Sequence, residues 1–182
     1  MTTNLSAMTQ PDPILADPIR EAQRQWVAHG WDEAAEGMAM VTSLVRVQQL
    51  LMERINAALR PSELTFARFE VLRLLAFTRA GELTMTRLGS LLQVHPTSVT
   101  SAVDRLVAQG FVDRIRSDED RRVIRARITD SGRQRVETAT AALNDQVFTE
   151  PGLDADDVRR LTGLLDSLRS VAGDQVGKAT DS

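Results

Sequence analysis

Between Pro96 and Gly132 the hydrophobic pattern changes period, and few folds accommodate the change. Val99, Ala102, Val103, Leu106 and Val107 recur at three-and-four spacing, the repeat of a helix with one buried face. Pro96 suits the first turn of that helix, and Gly110 supplies a left-handed C-terminal cap. Directly afterwards "FVDRIR" and "RRVIRARI" alternate apolar and charged residues on either side of an acidic tip, "SDED". Alternation predicts a hairpin with one packed face and its arginines on the other, solvated face. The fold class that follows is mainly α with a small β-wing.

Helices are predicted before and after this block. "DPIREAQRQWVAHG" reads as a short helix capped by Asp17, opened by Pro18 and stopped at Gly30, with Ile19, Trp26 and Val27 on one face. From about Glu33 to Leu59, the residues Val41, Leu44, Val45, Leu51, Met52 and Ile55 keep helical spacing until Pro61 ends the run. Thr65 caps a helix whose Phe66, Phe69, Leu72, Leu75 and Ala76 form a buried stripe. Past Gly81, Thr84 caps a shorter helix carrying Met85, Leu88, Leu91 and Leu92, and a turn at Val94-His95 leads to Pro96. Beyond the hairpin, Val136, Ala139, Leu143 and Val147 line one side of a helix that breaks at Pro151-Gly152. Asp154 caps a last helix through Val158, Leu161, Leu165, Leu168 and Val171, with Asp156 and Asp157 suited to the dipole of its first turn. The organisation expected is an N-terminal extension over 1–32 with a short extra helix, a main domain over 33–172 and a flexible tail over 173–182. The winged lobe occupies about 62–130, and residues 1–16 read as disordered.

Helix, turn, helix and basic hairpin make a winged helix-turn-helix. In the second helix the buried positions leave Thr97, Ser98, Thr100, Ser101, Asp104 and Arg105 outside, behind Pro96. Small hydroxyls let a helix approach base edges and phosphates without bulk, and Arg105 is placed to reach a phosphate or a guanine edge. The charge is distributed to match. Residues 104–135 hold nine arginines and six acids, a local balance of +3 that leaves −6 for the rest of a chain of net charge −3. The helix would enter the major groove of double-stranded DNA, with the wing on the backbone or in the neighbouring minor groove. Asp120 is positioned to hold the Arg122 guanidinium in a fixed fork, while Asp118 and Glu119 shape the turn. Asp104 is discordant on this face; it either orients Arg105 or accepts from cytosine. Each feature also has a plainer reading, a solvated Ser/Thr-rich helix and a salt-bridged ribbon. The rival for the pair is a winged-helix module for protein contacts without specific DNA binding, which predicts acids or apolar residues on the outer helix face.

Composition removes other classes. Cysteine is absent, which excludes thiolate metal sites and thiol redox sensing, and the two histidines, His29 and His95, are far apart. No phosphate loop, nucleophile elbow or metal motif is present, so no enzyme, cofactor or metal site is expected. "MTTNLSAMTQPDP" lacks the basic start and apolar core of a signal peptide, and no apolar run is long enough to span a membrane, so a cytoplasmic protein is expected.

At this point the chain resembles the multiple-antibiotic-resistance regulator (MarR) family. The resemblance is carried by Leu106-x3-Gly110-Phe111-Val112 at the helix exit, by Asp120-Arg121-Arg122, and by Thr129-x2-Gly132 closing the wing. It extends over roughly Glu36 to Val171. It implies a homodimeric, ligand-responsive transcriptional regulator, usually a repressor, whose first and last helices pair across a two-fold axis. It further implies that Arg122 enters the minor groove with Asp120 orienting it, and that Arg114 and Arg116 contact phosphates, with Arg121 and Arg125 beside them on the wing. The sequence itself supports the dimer, because the apolar stripes at both ends of the chain exceed what one winged domain covers. Two-fold symmetry predicts a pseudo-palindromic site with half-sites about 10 base pairs apart.

The resemblance also implies release of DNA by a small organic effector, in a pocket whose candidate lining is Trp26, Trp31, Met38, Arg46, Gln48 and Arg73. Each has a structural alternative as core, interface anchor or filler. The extra helix would reinforce the dimer interface, swap onto the partner, or wall the pocket with Trp26.

Overall fold

In a computed structural model of the chain, residues 17–116 and 123–174 are described. Two compact units divide at Arg54 and Ile55, inside a helix and well past the boundary near residue 32 that the sequence pattern favours.

The first unit holds α1 (Pro18–Ala28) and most of α2 (Asp32–Leu59). Asp17 accepts a hydrogen bond from the Ile19 N–H at 3.0 Å, Pro18 opens the helix, and Gly30 turns the chain with φ +79°. Trp26 and Trp31 meet edge to face at 5.3 Å across that turn, and the His29 ring stacks 5.7 Å from Trp31. The small residues Ala35 and Ala39 are buried, whereas Val27 is exposed, in contrast to the face the spacing assigned it. Further along α2, Val41, Leu44 and Val45 are also exposed.

The second unit contains the rest. Pro61 ends α2 in a 3-10 turn (Arg60–Ser62). The order is α3 (Phe66–Phe77), β1 (Glu82–Thr84), α4 (Met85–Leu92), α5 (Pro96–Ala108), β2 (Val112–Arg116), β3 (Ile124–Ile128), α6 (Asp130–Leu143) and α7 (Ala155–Val171). Side chains of Thr65, Thr84, Thr129 and Asp154 cap α3, α4, α6 and α7. The strands form an antiparallel sheet in the order β1-β3-β2. β1, three residues long, is too short to leave a period in the sequence.

The core lies among α3, α4, α5, α6 and the inner sheet face. Leu72 and Leu75, Leu88, Val99, Val103 and Leu106, Ala126, Val136 and Leu143 are all at or below 1% exposure. Each such Leu or Val contributes about 1.5–3 kcal/mol by burial. One π-helical turn (Asn144–Phe148) after α6 keeps Val147 buried, so the apolar stripe outlasts the α-helix. Val107 departs from expectation and is exposed. It lies about 100° around the helix from Leu106, at the edge of the stripe. Polar ties close the lobe: Arg68 on α3 donates to the Gln109 side chain at 2.8 Å, and Gln109 donates to the Glu63 carbonyl at 3.2 Å.

Candidate nucleic-acid interface

Three buried residues, Val99, Val103 and Leu106, anchor α5 and turn its opposite face to solvent. Pro96, Thr97, Ser98, Thr100, Ser101 and Arg105 are all exposed there, as the sequence pattern requires. His95 caps the helix: its Nδ1 accepts from the Thr97 N–H at 3.3 Å and lies 3.1 Å from the Thr97 hydroxyl. Thr97, Ser98, Ser101 and Arg105 line a shallow groove of about 670 Å3 with Thr65 and Arg68 from the start of α3. Open and shallow, this groove is suited to a surface ligand more than to an enclosed one.

The sheet register sorts the wing arginines. In an antiparallel pair, directly opposed residues point to the same face. Arg114 is opposite Ala126 and Arg116 opposite Ile124, so both share the face of Val112, Ala126 and Ile128 that turns toward α5. Arg125 and Arg127 lie on the other face, opposite Ile115 and Asp113 on β2 and opposite Thr84 and Glu82 on β1. The arginines therefore divide between both faces instead of sharing one solvated face.

Their partners differ accordingly. Arg114 Nη1 lies 2.9 Å from Asp104 Oδ1 on α5, and its Nη2 donates to the Thr100 carbonyl at 3.5 Å. Asp104 thus pairs with Arg114, and not with Arg105 as its place on the helix suggests. The Glu82 carboxylate on β1 accepts from Arg127 Nε at 2.8 Å, lies 2.7 Å from Arg127 Nη2, and accepts from Arg125 Nη1 at 3.4 Å. Glu82 is the more buried member, at 16% exposure, so Arg125 is engaged within the sheet before any other partner arrives. Among the described residues, Arg105 and Arg116 are exposed and have no ion-pair partner. Asp120, Arg121 and Arg122, with Asp118 and Glu119, lie outside the described residues.

The wing is closed by the motif that the sequence singled out. The Thr129 hydroxyl donates to the Gly110 carbonyl at 2.8 Å and accepts from the Gly132 N–H at 3.0 Å, and the Ser131 hydroxyl donates to the same carbonyl at 2.9 Å. Arg135 stacks 5.1 Å from the Phe111 ring centroid.

Of the expected effector residues, Trp26, Trp31, Met38, Arg46 and Gln48 belong to the first unit and Arg73 to the second. Trp26 and Trp31 pack on each other, Met38 Sδ accepts from the Thr42 hydroxyl at 3.5 Å, Arg46 donates to Gln49 at 3.3 Å, and Gln48 is exposed. Arg73 ties α3 to α6: it is 2.9 Å from Glu137, donates to the Val136 carbonyl at 3.0 Å, also bonds the Thr140 hydroxyl, and lies over Phe77. A concave surface of about 390 Å3 in the first unit, beside Arg20, Gln23 and Glu36, contains none of the six.

Sequence profiles and solved structures match this arrangement. A profile of the MarR family matches residues 64–124, from just before α3 to the start of β3. The solved structure of Sco5413, a MarR family transcriptional regulator from Streptomyces coelicolor, superimposes with a TM-score of 0.70 at 42% identity, covering 78% of this chain and 99% of that one. The chain belongs to the MarR family. A curated relative, the HTH-type transcriptional regulator YpoP of Bacillus subtilis, is 37% identical over 93 residues, 51% of this chain and 64% of that protein. This chain thus spans just under two thirds of that relative's length. The structure of a mutant Escherichia coli MarR complexed with operator DNA is similar at 27% identity and a TM-score of 0.67, covering 75% of this chain and 98% of that one.

Proposed function

We propose that this MarR-family chain is a sequence-specific DNA-binding transcriptional regulator. The observation that carries the reading is the α5 face, a run of exposed hydroxyls with Arg105, set beside a strand that brings Arg114 and Arg116 to the same side. The likeness to an operator-bound relative supports it. α5 enters the major groove and the wing contacts the flanking backbone, with Arg122 in the minor groove and Asp120 orienting it.

The regulator acts as a homodimer. α2 exposes Val41, Leu44 and Val45, and α7 exposes Leu161, Leu164, Leu168 and Val171, apolar faces on the two helices that pair two copies. A two-fold pair reads a pseudo-palindromic operator, and repression relieved by a small organic effector is the family-typical outcome. No helix among the described residues is long and apolar enough to cross a membrane, in keeping with a cytoplasmic regulator.

Fluorescence anisotropy on duplex DNA from upstream of the chain's own gene, against a scrambled duplex at several salt concentrations, tests the reading. Saturable preference for the first duplex, at one dimer per site and falling steeply with salt, is expected. Equal, weak binding to both duplexes, repeated with sites selected from a random library, would instead favour a winged helix used for protein contacts.

A further inference from the structure

Asp104 is an acid on a surface that otherwise offers hydroxyls and arginine, and it is the residue the DNA reading explains least. Its side chain is 55% exposed, so it stands where a phosphate backbone would approach α5. Arg114, held 2.9 Å away, accounts for it. One guanidinium bonds both the Asp104 carboxylate and the Thr100 carbonyl one turn earlier, so β2 grips two consecutive turns of α5 through a planar fork. The aim of that fork is set by the backbone. Arg114 sits opposite Ala126 on the sheet face of buried Val112 and Ile128, which fixes its direction toward the helix. Glu82, an acid on β1, binds Arg125 and Arg127 within the sheet and ties no strand to α5.

We propose that Asp104 is the positioning residue of the DNA interface. With Arg114 it forms a strut that fixes the angle between α5 and the wing, so that groove and backbone contacts fall on the duplex in one register. Its carboxylate also neutralises the Arg114 guanidinium, which would otherwise attract phosphates in registers that the strut does not allow. The strut therefore supplies selectivity at some cost in general affinity for DNA. Because the pair is neutral, Arg114 releases few counterions and is a brace more than a phosphate contact. This inference rests on the reading of α5 and the wing as a DNA interface.

The test uses the full-length chain on two duplexes, one selected from a randomised library by the wild-type protein and one scrambled from it. Asp104→Ala changes an exposed helical position where alanine is favoured, so the fold is expected to persist, with an unchanged melting temperature. It is expected to bind the selected duplex roughly fivefold more weakly, the scale of one part-exposed ion pair, and the scrambled duplex more tightly. Asp104→Glu keeps the charge within reach of Arg114 and retains most of the preference. Arg114→Gln loses the preference while the salt slope changes little, and the double change Asp104→Ala with Arg114→Gln is no worse than either alone. The proposal is overturned if Asp104→Ala weakens both duplexes equally, if its loss is confined to one base pair, as for a base-reading residue, or if both affinities match wild type. Failure of the underlying DNA reading shows separately: the wild-type chain would then select no duplex and lose no affinity with salt, and the strut would fall with it.

Discussion

A Cβ on Gly132 would lie 2.2 Å from the Phe111 carbonyl oxygen and 2.9 Å from the Ile128 side chain. Gly132 is helical, so the requirement is close approach and not an unusual φ. The first turn of α6 lies directly against the chain leaving α5, and the Thr129 hydroxyl bonds both sides of the joint. Gly132→Ala gains helix propensity worth about 1 kcal/mol but must displace backbone. A net loss of about 1–3 kcal/mol is expected from overpacking, read as a lower urea midpoint. An unchanged midpoint would mean that the joint relaxes without cost.

Arg73 is a second structural tie, spanning α3 and α6 at 15% side-chain exposure. Arg73→Met keeps the stem and removes the donors to Glu137, the Val136 carbonyl and Thr140. A loss of about 1–3 kcal/mol in unfolding free energy is expected, with DNA affinity at low temperature unchanged. A variant that folds as stably as wild type but no longer releases DNA to a small molecule would place Arg73 in the effector pocket.

Much of this lobe was legible because its signals are local. Thr65, Thr84, Thr129 and Asp154 announce helix starts within three residues of the N–H groups they bond, and the stripe from Val136 to Val147 persists even through a π-helical turn. The exposed face of α5 followed by subtraction once Val99, Val103 and Leu106 were assigned to the core. Pairings across elements were not legible. Asp104–Arg114 and Glu82–Arg127 depend on sheet register and on where β2 meets α5, which no local spacing encodes. His95 as the cap of α5 could have been read from its place immediately before Pro96. Arg73 carried no sequence signal separating a ligand contact from a helix tie.

Glu70 on α3 is half-buried, and burial pushes its carboxyl above the usual carboxylate range. A raised folded value means that the native state holds its proton more tightly than the unfolded chain. The penalty for ionising Glu70 is therefore absent in acid, below the unfolded value, and grows as pH rises through the folded one. Glu70→Gln is expected to be more stable than wild type at neutral pH, with the difference closing toward pH 4. Urea unfolding of both proteins across that range checks it; a constant difference would exclude titration as the cause.

The unpaired and paired arginines are expected to separate by salt dependence. Arg116→Ala should weaken binding to all duplexes alike and reduce the salt slope by about one. Arg125→Ala, whose guanidinium Glu82 already engages, should change the slope less. Arg105→Ala should alter preference among duplexes, as expected for a base-edge contact. Equal slopes for the Arg116 and Arg125 variants would show that Glu82 releases its arginines on binding.

α7 places Leu161, Leu164, Leu168 and Val171 at helical spacing, and all four are exposed, Leu164 at 69% and Val171 at 88%. No residue of α7 is buried within the chain, although Leu165 is partly covered. A helix with no buried residue gains little from its own fold, and its stability must come from packing elsewhere. Leu164→Glu with Leu168→Glu removes apolar surface only where a second copy would cover it. The expected result is a shift from dimer to monomer in sedimentation velocity, with the unfolding of the winged lobe preserved and DNA affinity reduced through loss of the second half-site. A dimer that persists with both glutamates in place would move the interface away from α7, toward Val41, Leu44 and Val45 of α2.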